Sequence, residues 1–136
     1  MDCIFCRIIA GEIPSRKVYE TADSLAFLDA FPLAKGHTLV VPKNHHAKIQ
    51  EMLPAECAGL FEAVRVVSSR VERLGPSSLV AVHNGREAGQ EVPHVHVHVI
   101  PRKPGDGAGP VHGMFAGRPK LSEAETGEIL GILAAD

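Results

Sequence analysis

The stretch that most constrains the fold is His94-Val95-His96-Val97-His98-Val99-Ile100. Val and Ile are stiff at χ1 and favour a strand, and a strand sends successive side chains to opposite faces. The period of two therefore places the three imidazoles on one face and the valines on the other, against a core. A sheet face lined with nitrogen is also a place for chemistry. Near neutral pH, imidazole can attack phosphorus, carry a proton or ligate a metal.

At 136 residues the chain reads as one domain, 1–136, long enough to bury about two-thirds of its unfolded surface. Its net charge of -2 and lack of a basic run argue against a nucleic-acid backbone as partner, so any nucleotide should be small. Met1-Asp2-Cys3 lacks a basic leader, and apolar runs such as Leu39-Val40-Val41 are too short to span a bilayer. No membrane partner is expected, and the reading is cytoplasmic. Three cysteines are an odd count, and the close pair Cys3-Ile4-Phe5-Cys6 suits metal or redox chemistry better than a disulfide framework.

Local signals divide the chain further. Cys3 to Ala10 is a short helix stopped by Gly11. Lys17 to Glu20 and Leu25 to Asp29 are strands flanking a polar turn, and His37 to Val41 is a buried strand ended by Pro42. From Pro54, the residues Leu60, Val64, Val67, Val71 and Leu74 recur at steps of four and three, a main helix whose apolar stripe covers a sheet. Ser78 to His83 and His94 to Ile100 complete the strands, joined by Asn84 to Pro93. Pro104 to Pro119 is a glycine- and proline-rich loop. Ser122 to Ala135 is a terminal helix with Ser122 as N-cap and Glu125 at the capping-box position.

These residues resemble the histidine-triad (HIT) family. His94 to Ile100 matches its His-φ-His-φ-His-φ-φ pattern, with φ apolar, at every position. Cys3-Ile4-Phe5-Cys6 with Gly11-Glu12-Ile13-Pro14, Phe27-Leu28-Asp29, Lys35 to Lys43, Asn84-Gly85 and Gly89-Gln90 resemble its other blocks, in the same order. The resemblance implies an α+β, HIT-like fold: a five-stranded antiparallel sheet with a main helix and short N- and C-terminal helices, paired as a homodimer. The core would be 3–102, with 103–136 as glycine-rich loop plus C-terminal helix. It also implies hydrolysis at the α-phosphate of nucleoside phosphoramidates, dinucleoside polyphosphates or related conjugates.

Carried over by position, the catalytic residues are His96, His98 and His37. His96 would be the nucleophile that forms a covalent nucleotidyl-histidine, and His98 a donor to the phosphate or bridging oxygen. His37 resembles the upstream histidine that approaches the triad from a neighbouring strand. Developing charge on phosphate oxygens needs preorganised donors, for which Asn84, Gln90 and the amides around Gly89 are candidates, ordinary turn chemistry being the other reading of Asn84 and Gly89. Asp29 can accept two hydrogen bonds from ribose hydroxyls, as the matching family aspartate does, or cap the turn before Pro32. By resemblance Phe5, Ile8 and Leu28 form an apolar pocket for the base, with weak preference among purines.

A Cys-x-x-Cys pair with two distant histidines suits tetrahedral zinc. The zinc-bearing relatives imply Cys3, Cys6, His45 and His94 as a structural site, with adjacent His46 as an alternative third ligand and a reduced, unmetallated pair as the plain reading. Polyphosphate substrates would admit a divalent cation as well. Cys57 falls within the main helix as a packing residue. Glu91 stands where the phosphoramidate-cleaving branch places a small hydroxyl residue, which leaves the leaving group open. Three rival readings remain: a nucleotidyl transferase, a nucleotide- or zinc-binding regulator with little turnover, and a metal protein using the three histidines as ligands.

Overall fold

The computed structural model describes residues 2–135. Its element order is α1 (Ile4–Ile9), β1 (Lys17–Glu20), β2 (Ser24–Leu28), β3 (Thr38–Pro42), α2 (Pro54–Val71), β4 (Ser77–Ala81), β5 (Val97–Arg102) and α3 (Glu123–Leu133). Short 3-10 turns occupy Ile49–Glu51, Arg86–Ala88 and Val111–Met114. The strands form one antiparallel sheet in the order β1-β2-β3-β5-β4. This is the expected α+β arrangement, a five-stranded antiparallel sheet with three helices.

Alternation along the strands builds two apolar layers. Ala26, Val40, Val97 and Val99 pack with Leu60, Ala63, Val64, Val67 and Val71 of α2. The intervening residues Leu25, Phe27, Leu39 and Val41 pack with Cys3 and Phe5 at the N-terminal helix. Because Val97 and Val99 belong to the α2 side, His96 and His98 belong to the α1 side, and Phe5 does lie edge-on against His96 at 5.0 Å. Cys57 packs at the margin of the α2 layer, as expected.

Two boundaries differ from the sequence reading for identifiable reasons. The stripe of α2 stops at Val71. Arg73 and Leu74 bond back to Arg70 and Val71 in i→i−3 fashion, tightening the last turn toward β4. Leu74 is left 57% exposed, its side chain against Gly36. The histidine strand begins at Val97 rather than His94. Ahead of it, the His94 amide bonds to Val92 and the Val95 amide to His46, so this run is held by the segment after β3 instead of by the ladder.

The chain falls into two compact units, one running to Pro104 and a second from Gly105. In the second, α3 is capped by Ser122, whose hydroxyl accepts from the Glu125 amide while the Glu125 carboxylate accepts from the Ser122 amide. None of that unit's described residues is buried, and Phe115, Leu130 and Leu133 are among its exposed apolar side chains. No helix among the described residues is long and apolar enough to cross a membrane.

Candidate active site and metal centre

His96, His37 and His98 are each set in one tautomer by a hydrogen-bonded neighbour. His96 lies 2.7 Å through Nδ1 from the His94 carbonyl oxygen. A carbonyl only accepts, so Nδ1 carries the proton and Nε2 keeps its lone pair. At His37 the Leu33 backbone N–H donates to Nδ1 at 3.0 Å, so the proton sits on Nε2. That Nε2–H donates to His98 Nδ1 at 2.9 Å, which in turn puts the His98 proton on Nε2. His98 Nε2 is buried and has no partner among the described residues, a donor left for something else. The rings of His96 and His98 stand 5.1 Å apart.

Burial keeps these rings uncharged. It pushes His96 and His37 below the usual histidine range, partly offset at His37 by the Asp29 carboxylate. Burial, reinforced by the neighbouring His96, His37 and His83 rings, pushes His98 down to about 4. Asp29 Oδ2 lies 3.5 Å from His37 Nε2, but a His37 ring that accepts at Nδ1 is neutral, so the contact is not an ion pair. Asp29 Oδ1 accepts from the Phe31 amide at 2.8 Å and closes the turn before Pro32. Asp29 thus caps the turn and presents its second oxygen beside the histidines.

The other expected site residues divide. Phe5 is buried against Phe27, His94 and His96, Ile8 is half-buried beside it, and Leu28 is 42% exposed at the end of β2. Gly89 ends the Arg86–Ala88 turn at φ 98, a left-handed conformation that favours glycine. Gln90 braces this loop: its Oε1 accepts from the Gly85 amide and its Nε2 donates to the Ala47 and Val92 carbonyls. Asn84 is engaged elsewhere. Its Oδ1 accepts from the Ile49 amide and its Nδ2 donates to Gln50, so both ends of the amide tie the loop to the Ile49–Glu51 turn. Glu91 is exposed and lines a shallow cleft with Ile4, Arg7 and Pro93.

His83, beside Asn84, is the residue the sequence reading overlooked. Its ring stands 5.2 Å from that of His98, and a methyl group at Gly89 would sit 3.7 Å from its Nδ1. The signal lay in the strand pairing. Ala81, the last residue of β4, is opposite His98, so the chain leaves the sheet beside the triad two residues before His83.

Cys3, Cys6, His45 and His94 form a second cluster, their ligand atoms all within 4.8 Å of one another. His94 Nε2–H donates to the Pro42 carbonyl at 2.8 Å, so Nδ1 is a lone pair facing the thiols. It lies 3.5 Å from Cys3 Sγ, 3.6 Å from Cys6 Sγ and 3.1 Å from His45 Nδ1, and Cys6 Sγ is 3.4 Å from His45 Nδ1. Tetrahedral zinc bonds imply edges of about 3.3–3.8 Å, which the three sulfur–nitrogen distances meet and the 3.1 Å between the two imidazoles approaches, so the four residues suit the ion. His46 is engaged otherwise, with Nε2 3.0 Å from Glu56. Burial, and then the neighbouring Cys3, push the Cys6 thiol up, which a dication would reverse. Such an ion would tie α1 to the segment carrying His45 and His94. Asp29, His37 and His98 also group, but the 2.9 Å contact between the two imidazoles is accounted for as a hydrogen bond.

Comparison with known proteins agrees with this geometry. Residues 10–105 match the HIT domain family model. The chain is 48% identical over 103 residues, 75% of each protein, to adenosine 5'-monophosphoramidase hnt1 of Schizosaccharomyces pombe. It superposes on a HIT family protein of Bacillus subtilis with TM-score 0.86 and 36% identity, covering 98% of this chain and 96% of that one. It likewise matches a zinc-bound histidine triad family protein of Mycobacterium smegmatis, with TM-score 0.73, 32% identity and coverage of 96% and 91%. With the imidazole strand, its supporting loops and these likenesses together, the chain belongs to the HIT family.

Proposed function

We propose that this protein hydrolyses nucleotide conjugates at the α-phosphate through a covalent intermediate on His96. One observation carries the reading: the His94 carbonyl holds the His96 proton on Nδ1 and leaves Nε2 as a lone pair, next to a buried, unpartnered His98 Nε2–H. A nucleophile and an oxyanion donor are thereby set in place before substrate arrives. His96 Nε2 attacks phosphorus, the leaving group departs, and water releases the nucleotide from the imidazole. His98 donates to a phosphate oxygen, and His37 positions His98 by fixing its tautomer. Gln90 and the Gly89 turn shape the loop, with backbone amides as donors. Asn84 holds that loop to the Ile49–Glu51 turn. Asp29 takes the ribose hydroxyls, and Phe5, Ile8 and Leu28 take the base.

The named activity of the Schizosaccharomyces pombe relative supports nucleoside phosphoramidates as the substrate class. Cys3, Cys6, His45 and His94 would hold a structural zinc, which cross-links the N-terminal helix when bound and takes no part in turnover. A homodimer of single-domain chains accounts best for the exposed apolar side chains of the second unit.

The test is a quench of the reaction with substrate labelled in its nucleotide. Label should appear, acid-labile and base-stable, on the peptide carrying His96, and His96→Asn should lose about 10^3-fold or more in kcat. Near-normal turnover by His96→Asn would overturn the mechanism. Activity that followed a metal removed by chelation would instead favour the three histidines as ligands.

A further inference from the structure

His83 makes no hydrogen bond among the described residues, although it is half-buried and packed between His98 and the Gly89 turn. The rings of His96, His98 and His83 follow one another at 5.1 and 5.2 Å. His98 shares its Nδ1 with His37 and is held neutral, so its Nε2–H stabilises charge but supplies no proton at neutral pH. His83 has both nitrogens free. On the nucleotidyl-His96 reading proposed above, a leaving group that ran along this row of rings toward the Gly89 turn would bring its departing atom to His83.

Resting on the nucleotidyl-His96 reading, we propose that His83 is the general acid for the leaving group, selecting conjugates whose leaving atom must be protonated. As Nε2 of His96 bonds to phosphorus, the bond from phosphorus to the leaving nitrogen breaks and its electron pair stays on that nitrogen. The nitrogen takes the proton from imidazolium His83 and departs as a neutral amine. In the second half, neutral His83 takes a proton from water as the water oxygen attacks phosphorus and the bond to His96 breaks. Nucleoside monophosphate is released, and the acid is restored. The titratable groups facing His83 are His98 and His96, with Asp29 beyond them and Arg86 and Glu87 in the turn that carries Gly89.

The experiment compares two conjugates of AMP: an alkylamine phosphoramidate, whose nitrogen must be protonated, and a p-nitrophenyl ester, whose leaving group departs as an anion. The readout is the ratio of kcat/KM, amidate over ester, in which any effect of His96 or His98 common to both substrates cancels. His83→Asn and His83→Gln should lower the ratio by about 10^2-fold or more, the usual worth of a positioned acid. Exogenous imidazole should restore the amidate rate to His83→Ala selectively. In the unaltered protein the ratio should fall on the alkaline side of the pH profile, and this limb should be missing from His83→Asn. Equal losses on both substrates, or a ratio independent of pH in the unaltered protein, would overturn the proposal. That second measurement needs no variant to fold. If neither conjugate labels His96, the underlying reading fails first and this proposal falls with it.

Discussion

A single proton position decides the chemistry available to each imidazole here, and backbone groups set it. The His94 carbonyl leaves His96 a lone pair on Nε2, the Pro42 carbonyl leaves His94 one on Nδ1, and the Leu33 amide passes a tautomer through His37 to His98. None of this is legible in a run of alternating histidines, because every partner except the His94 carbonyl comes from another part of the chain. Asp29 carries the second residue-scale expectation. One oxygen closes the turn to Phe31, and the other lies 3.5 Å from His37 Nε2, where the proposed function puts the ribose. Asp29→Ala should weaken ribonucleotides by about 1–3 kcal/mol, the range for a lost charge-assisted hydrogen bond, while 2',3'-dideoxy analogues lose little. Isothermal titration with both ligands decides. Equal losses would leave Asp29 with the turn alone.

Among the elements, α1 is the one that cannot stand by itself. It spans Ile4–Ile9, too short to persist in isolation, and its N-cap is Cys3 Sγ, accepting from the Cys6 amide at 3.5 Å. Its support is the packing of Phe5 and the cluster of Cys3, Cys6, His45 and His94, so metal and helix should come and go together. Purified protein should carry about one zinc per chain by elemental measurement. A Cys3→Ser, Cys6→Ser double variant should lose it and melt several degrees lower, each lost kcal/mol moving Tm by about 3–6 °C at this chain length. Unchanged metal content in that variant would place the ion elsewhere. By contrast, α2 was legible from its spacing, since Leu60, Val64, Val67 and Val71 alone identify the buried face. Only its last turn, where the chain turns back toward β4, escaped that reading.

For the whole molecule, the cost of a neutral histidine face appears as acid sensitivity. His37 and His98 lie below the unfolded value of about 6.5, with His98 at about 4, so the unfolded chain binds more protons than the folded one across this interval. Stability from these groups is complete above about pH 6.5 and is lost as pH falls toward 4. Denaturant midpoints should therefore decline over that window, and His98→Gln should flatten the decline. A midpoint constant from pH 7 to 4 would show that these rings are charged in the fold.

Local periodicity and spacing carry the part of this molecule that neighbouring residues can specify. An alternating strand, a helix with one apolar stripe, a Cys-x-x-Cys pair and a set of blocks in family order sufficed for the α+β class and for most of the candidate site. Tertiary structure decided which of two adjacent residues faces which neighbour. His45 and not His46 joins the thiols, because His46 is taken by Glu56. His83 and not Asn84 stands beside His98, because β4 ends opposite His98 at Ala81 and the Asn84 amide is taken by Ile49 and Gln50. In both pairs two adjacent residues outside the strands face different neighbours. The register that resolves it comes from pairing with a strand or loop many residues away, to which no local pattern refers.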